Sequence, residues 1–238
     1  MKKIAIIGCG ISGLYFANLL QKNSEYDYTI YEKKSQLDFE DGYGNRPDEE
    51  EDGHAISAAE EVAKGKPTAI TLASENIQEL SSLASAMSSS SFRVYTSNDI
   101  VGVQLGGAFK NIIAIATGAS DALNLGANAR TALISRGLEE MKSIGVSFGA
   151  KPETFFGLSG LGDLVLTSTD DQSRNRRLGL LIGSGISLDN AIEKLGTTPE
   201  GVHAVKALYN KQALHEGLPI ANAVYSILFE GVPAESLV

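Results

Sequence analysis

The sequence predicts an α/β chain: an incomplete parallel sheet in front, an all-helical domain behind. Short isoleucine- and valine-bearing runs alternate with helical stretches only as far as residue 98. A glycine cluster stands at the first strand-to-helix junction. From Val101 onward, long segments carry apolar residues at helical spacing. These three observations divide the chain into residues 1–98 and 99–238.

Residues 3–7 form a continuous apolar run that suits a strand buried on both faces. Residues 14–22 place Leu14, Ala17 and Leu20 on one helical side, and residues 28–31 read as a second strand ending at Glu32. Residues 35–54 hold Gly42, Gly44, Pro47 and the run Asp48 to Asp52, without either periodicity, and are expected to be an acidic linker. A short helix at 57–63, strands at 68–73 and 92–95, and a helix at 77–86 follow. Helices are then predicted over 106–117, 128–143, 174–182, 188–194, 200–215 and 220–229, with Gly118 breaking the first of them.

A net charge of −9 argues against a general nucleic-acid binder, which needs a basic surface for backbone phosphates. A local arginine cluster can still hold a small anion. One cysteine, Cys9, excludes an intramolecular disulfide and a cysteine-rich zinc site. His54, His203 and His215 have no metal-ligand spacing, so no metal is expected. No segment reaches the roughly 18 apolar residues of a membrane span, and the start has no signal-peptide cleavage pattern. A cytoplasmic location is the default.

Gly8-Cys9-Gly10-Ile11-Ser12-Gly13 lies between the first strand and helix, with Glu32 about 20 residues on. This context makes it a Rossmann-like dinucleotide fingerprint. Gly8 permits the turn, Gly10 the approach of a pyrophosphate, and Gly13 close helix–strand packing. The helix amino terminus faces the phosphates. Glu32 can accept from a ribose hydroxyl and repels a 2′-phosphate, which favours NAD over NADP. The stretch Ile4 to Leu14, with Tyr31-Glu32-Lys33-Lys34, also resembles flavin-dependent monooxygenases. FAD is therefore the alternative cofactor, although no later stretch offers an isoalloxazine pocket.

Lys110 follows the pair Gly106-Gly107 and opens the apolar run Ile112 to Ile115. The glycines let another backbone or a ligand approach. A lysine desolvated there is expected to titrate below its ordinary value, which suits proton exchange with an alcohol or carbonyl oxygen. Asp163 lies in Gly160-Leu161-Gly162-Asp163-Leu164, a tight turn where it could be a turn or cap residue. Ser173, Arg174 and Asn175 open a helix, where hydroxyl, guanidinium and amide can cradle a phosphate. Arg176 and Arg177 read as its solvated outer face.

From Glu61 to Val202 the chain resembles NAD(P)-dependent glycerol-3-phosphate dehydrogenases. The resemblance is carried, in order, by Glu61 to Ala69, Phe92 to Ser97, Gly102 to Asn111, Ala150 to Thr154, Gly157 to Leu164, Ser173 to Arg177 and Glu200-Gly201-Val202. It implies hydride exchange between C2 of sn-glycerol 3-phosphate and NAD or NADP, in supply of glycerophospholipid precursors. It further implies Lys110 as the catalytic base, Asp163 beside it, and substrate contacts from Ser173, Arg174, Asn175 and Ser57. Arg174, Glu200 and Ala59 are implied at the cofactor.

The family pattern is also broken in places. Ile11 and Ser12 replace its serine and aromatic residue, and His54 to Ala59 keeps only Ser57 and Ala59 of a substrate- and cofactor-contacting stretch. The central strands of a six-stranded cofactor domain are missing, so residues 1–98 read as a truncated dinucleotide-binding domain. The end at Val238 falls within the family's last helix. Impaired turnover is expected. The partner is a small phosphorylated molecule, and a homodimer is left open. A flavin-binding fragment and a non-catalytic helical dimerisation module are the other two readings.

Overall fold

A computed structural model describes residues 2–7, 26–31, 65–211, 213–214 and 217–237. The chain divides into two compact units: Met1–Thr68 with Ser89–Phe92, and Ala69–Ser88 with Arg93–Val238. In the first, β1 (Lys2–Ile7) and β2 (Tyr26–Tyr31) pair in parallel, Lys2 opposite Tyr26 through Ile7 opposite Tyr31. This is the start of the predicted parallel sheet. The helix expected at 14–22, the acidic linker and the helix at 57–63 lie outside the described residues.

Apart from their first residues, β3 (Thr68–Ala73) and β4 (Phe92–Ser97) belong to the second unit, where they form a pair joined by α1 (Ile77–Met87). Helix α1 buries Leu80, Ala84 and Met87, spaced four and three apart, which gives a single inward stripe. The fold class is thus an incomplete Rossmann-like parallel sheet followed by a helical domain.

That domain is organised by α2 (Ile100–Ala122). Every residue from Ile112 to Ser120 is buried, so this stretch is surrounded on all sides. Helix α2 is long and apolar enough to cross a membrane by length and mean hydropathy, 1.4, which corrects the expectation that no segment would be. Burial of that stretch within the helical unit is the physical reason for its composition. Around it stand α3 (Gly126–Ser147), α4 (Asp163–Thr169), α5 (Arg174–Gly183), α6 (Leu188–Leu195), α7 (Glu200–Asn210) and α8 (Pro219–Phe229). Phe109, Ile112, Ile113, Met141, Phe155, Leu164, Leu178, Val205 and Val224 meet in one core. Each side chain of this kind contributes roughly 1.5–3 kcal/mol on burial.

Helix α2 is continuous through Gly118, where a break was expected. A Cβ there would meet the Arg176 carbonyl, and one at Gly179 would meet the Ile115 carbonyl. The two glycines are a device for backbone approach between α2 and α5, and the reading as a helix breaker missed this. The turn into α3 comes later, at Asn124 (φ 56°) and Gly126 (φ 87°). Helix α7 ends at Asn210, short of the expected 215. Its partner α8 receives a cap from another helix: the buried Glu140 carboxylate of α3 accepts from the Ile220 and Ala221 N–H groups at 2.8 and 3.1 Å. Two donors left over at a helix start are satisfied in this way.

Candidate active site

Lys110 sits midway along α2, and its ammonium donates to Asp163 Oδ2 at 2.8 Å, across 53 residues of sequence. Gly106 makes this possible. One helical turn before Lys110 and on the same face, it lies against the Ser159 carbonyl, so any Cβ would push that backbone away. The turn that settles there, Leu158–Gly162, is π-helical and runs directly into α4, which begins at Asp163. Wide turns of this type recur at functional sites because they re-aim one side chain. The π turn and α4 replace the simple tight turn expected around Asp163. Gly107 has open space where a Cβ would stand, so the surface beside Lys110 stays open.

The Lys110 and Asp163 side chains are 22% and 38% exposed. The desolvation expected at Lys110 is therefore incomplete, and an ion pair takes its place. The pair is reachable by a ligand and held in one geometry.

A second chain of hydrogen bonds starts at the next residue. Asn111 donates to the Gly107 carbonyl at 3.2 Å and accepts from Asn175 at 3.0 Å. Asn175 also donates to Glu200 Oε2 at 3.4 Å and accepts from the Gly201 N–H at 2.8 Å. Arg174 donates to Glu200 Oε1 at 2.8 Å. Adjacency of Lys110 to Asn111, and of Arg174 to Asn175, brings the Lys110 turn of α2 against the starts of α5 and α7. Gly201 admits this: a Cβ there would meet Asn175 and the Asn111 carbonyl. Lys110, Asp163, Arg174, Asn175 and Glu200 are thus drawn into one region, with Ser173 at its edge.

The state of each side chain limits what it can do. Ser173 caps α5 by accepting from the Arg176 N–H at 3.3 Å, which leaves its hydroxyl proton free to donate. The Arg174 bond to Glu200 uses one of five guanidinium N–H groups. Asn175 is buried, and its amide is occupied within the protein. Gly8, Gly10, Gly13, Glu32, Ser57 and Ala59 lie outside the described residues. Among the described residues no group of three His, Cys, Asp or Glu is placed to hold a metal.

Two polar clusters were not anticipated. Arg176, expected on a solvated face, is buried; its Nε donates to Asp171 at 2.8 Å and its Nη1 to Asp121 at 2.6 Å. Asp121 also accepts from Arg130 at 2.8 Å. Burial pushes the Arg176 guanidinium down, but the carboxylates of Asp121 and Asp171 more than offset this, so it titrates above its ordinary value. Arg176 is turned inward because Gly118 and Gly179 bring α5 so close to α2 that the next helical position also faces Asp121. The second cluster centres on Asp99, the cap of α2, whose Oδ1 accepts from the Gly102 N–H at 2.9 Å. Its Oδ2 accepts from the Lys151 N–H at 2.8 Å and the Thr154 hydroxyl at 2.6 Å. Burial raises the Asp99 carboxyl; the bonds from Thr154, Gly102 and Lys151, with the Lys151 charge, bring it below the ordinary carboxylate value. An aspartate before an apolar helical run is a sequence signal for a cap, and starting this helix at 106 overlooked it.

An ammonium and carboxylate side by side, next to a helix start with an arginine and a hydroxyl donor, can hold an anion and move a proton at a neighbouring oxygen. Comparison with known proteins gives the family. Residues 6–38 match the NAD(P)-binding Rossmann-like domain, and 31–95 match a domain of unknown function. The chain is 50% identical over 178 residues to glycerol-3-phosphate dehydrogenase [NAD(P)+] of Vibrio parahaemolyticus, covering 74% of this chain and 52% of that protein. It is 51% identical over 181 residues to the enzyme of the same name from Mannheimia succiniciproducens, covering 74% and 53%. The chain spans about half the length of these curated relatives. The crystal structure of glycerol-3-phosphate dehydrogenase from Coxiella burnetii superposes with a TM-score of 0.72 at 36% identity, covering 99% of this chain and 74% of that one. Residues 99–238, more than half of the chain, match the model of the NAD-dependent glycerol-3-phosphate dehydrogenase C-terminus, and the protein belongs to that family.

Proposed function

We propose that this chain binds sn-glycerol 3-phosphate and dihydroxyacetone phosphate in the cytoplasm and interconverts them with NAD(P). The observation that carries this reading is the 2.8 Å Lys110–Asp163 pair, joined to the starts of α5 and α7 by the Asn111–Asn175 bond. Residues 99–238 act as the substrate domain and residues 1–98 as a truncated dinucleotide-binding domain. When bound, the nicotinamide cofactor supplies or accepts the hydride at C2. The parallel β1–β2 pair is the sheet that a glycine fingerprint at 8–13 needs in front of it. Gly8, Gly10, Gly13, Glu32, Ala59 and Arg174 are assigned to the cofactor, with Glu200 near its nicotinamide side.

Lys110 donates its ammonium proton to the oxygen on C2 in the reductive direction and takes it back in the oxidative one. Asp163 holds the ammonium on that axis and offers its second oxygen to a substrate hydroxyl. The remaining Arg174 donors and the Ser173 hydroxyl hold the phosphate, with Ser57 assigned there too. Asn175 supports the phosphate site from behind, since its amide is already bonded to Asn111 and Gly201. Self-association as a homodimer belongs to the same proposal; exposed Phe148, Phe156, Val165 and Leu166 leave apolar surface for it, and sedimentation velocity tests it.

A dinucleotide-binding domain truncated in this way turns over slowly. NADH oxidation with dihydroxyacetone phosphate is expected well below the median enzyme rate of about 10 s⁻¹. A rate near that value overturns the impairment. Complete absence of turnover, with no thermal shift on adding sn-glycerol 3-phosphate, overturns the dehydrogenase reading itself.

A further inference from the structure

We infer that Asp99 is a positioning residue that sets the Lys110–Asp163 pair by clasping the two segments that carry its members. This rests on the dehydrogenase reading for its purpose, but its geometry is independent of it. Lys110 belongs to α2, whose first turn hangs on Asp99 through the Gly102 N–H. Asp163 follows the segment 151–162, whose beginning hangs on the same carboxylate through the Lys151 N–H and the Thr154 hydroxyl. A neighbouring bond, Lys151 Nζ to Asn98 Oδ1 at 2.7 Å, closes the clasp on its outer side. Between clasp and pair the two segments touch again where the Ser159 carbonyl lies on Gly106. The carboxylate is therefore one fixed end, and the ion pair the other, of a short strip in which α2 and the 151–163 segment run against each other.

The chemistry of the clasp requires a carboxylate. Three donors converge on two oxygens, and Asp99 is buried, so no solvent can replace a lost acceptor. An asparagine caps a helix as well as an aspartate does. With its oxygen kept on Gly102, however, its NH2 group would face the Lys151 N–H, donor against donor. Asp99→Asn thus preserves the cap of α2, breaks the tie to the Lys151 N–H and leaves Thr154 only a weaker, reversed bond in which its hydroxyl accepts from the new amide. A residue that only caps would tolerate this change.

The test reads the Lys110 ammonium directly, by a lysine ¹⁵Nζ–¹Hζ correlation spectrum of the full chain, with the signal assigned by its loss in Lys110→Arg. Asp99→Asn is expected to shift or broaden that signal and to lower kcat between about ten- and a hundredfold, as a displaced catalytic group does. Thr154→Val is expected to move the signal the same way, and Thr154→Ser to restore it. Thr154→Val also decides the matter if Asp99→Asn does not fold. An unmoved Lys110 signal in Asp99→Asn and Thr154→Val overturns the clasp, even if the unfolding midpoint falls. A moved signal in a chain whose parent neither turns over nor binds sn-glycerol 3-phosphate upholds the clasp and removes the dehydrogenase reading.

Discussion

Replacing Arg176 by methionine separates a buried, structural arginine from the solvated one that the sequence suggested. Methionine keeps the apolar stem and deletes the guanidinium. Two short charge-assisted bonds disappear, to Asp121 and Asp171, with a long 3.4 Å one to the Ser168 carbonyl, which keeps the Thr117 hydroxyl as a donor. They do not weigh equally. The Asp171 side chain is 77% exposed and returns to water at little cost. The Asp121 side chain is 13% exposed but keeps Arg130 at 2.8 Å, so its charge is not left alone. What remains is one buried charge-assisted bond, about 2 kcal/mol. The reciprocal change, Asp121→Ala, leaves the Arg176 guanidinium with the exposed Asp171 and a long 3.4 Å bond to the Ser168 carbonyl, and removes the Arg130 partner as well, which costs about 3–5 kcal/mol. Urea unfolding followed by helical circular dichroism at 222 nm measures both. With a slope of about 2 kcal/mol per molar, Arg176→Met lowers the midpoint by about 1 M, and Asp121→Ala lowers it further. A solvated arginine would change stability by less than about 0.5 kcal/mol. A midpoint shift of that small size, or a larger loss from Arg176→Met than from Asp121→Ala, refutes the argument.

Lys110→Met and Asp163→Asn are each expected to cut turnover at least about 100-fold, the usual share of a proton-transfer group. Because their pair is partly exposed, the unfolding free energy should fall by no more than about 1 kcal/mol, so equal loss of stability and activity would contradict the assignment. Gly179→Ala drives a methyl into the Ile115 backbone and is expected to destabilise by about 1–3 kcal/mol despite alanine's better helix propensity; an unchanged melting temperature would show that the helices can part freely. Asp99 titrates lower in the folded chain than in the unfolded one, so its stabilisation is present above about pH 4 and is lost as pH falls through the folded value. The gap in urea midpoint between the parent and Asp99→Asn should therefore close between pH 6 and pH 2.5, and a gap that widens on acidification would reverse the sign.

The fold was legible where a single periodicity governs a segment. Strand β3 came out with its observed bounds, and α1, α5, α6 and α8 within a residue or so at either end, because apolar residues in each mark one face or one buried run. Helix α2 was read too short at both ends. Its residues 112–120 are buried on all sides, so no stripe distinguishes inside from outside, and the small residues that allow this, Gly118 above all, look like breakers in one dimension. The π-helical turn at Leu158–Gly162 was invisible for a related reason. Its shape is imposed by the Gly106 face of α2 beneath it, over 50 residues away in sequence, and local propensity holds no record of that contact.

For the site the division runs along a different line. Residues with chemistry written in their type, Lys110, Asp163, Arg174 and Glu200, could be named from order and resemblance. The side chains that bind their segments together could not. Asn111, Asp99 and Arg176 each act through a partner 50 or more residues distant, at 64, 55 and 55 positions respectively for Asn175, Thr154 and Asp121. Their residue types also admit cheaper local uses, as helix surface, cap or solvated charge. What decides between these uses is how closely α2 is approached by its neighbours, and that closeness depends on glycines at 106, 118, 179 and 201. The lysine, the carboxylate and the arginine are thereby drawn into one region of the helical domain by positions that carry no side chain. Enlarging any of those four positions should therefore lower turnover without altering one of the polar side chains proposed to touch substrate, which steady-state NADH oxidation by each Gly→Ala variant measures.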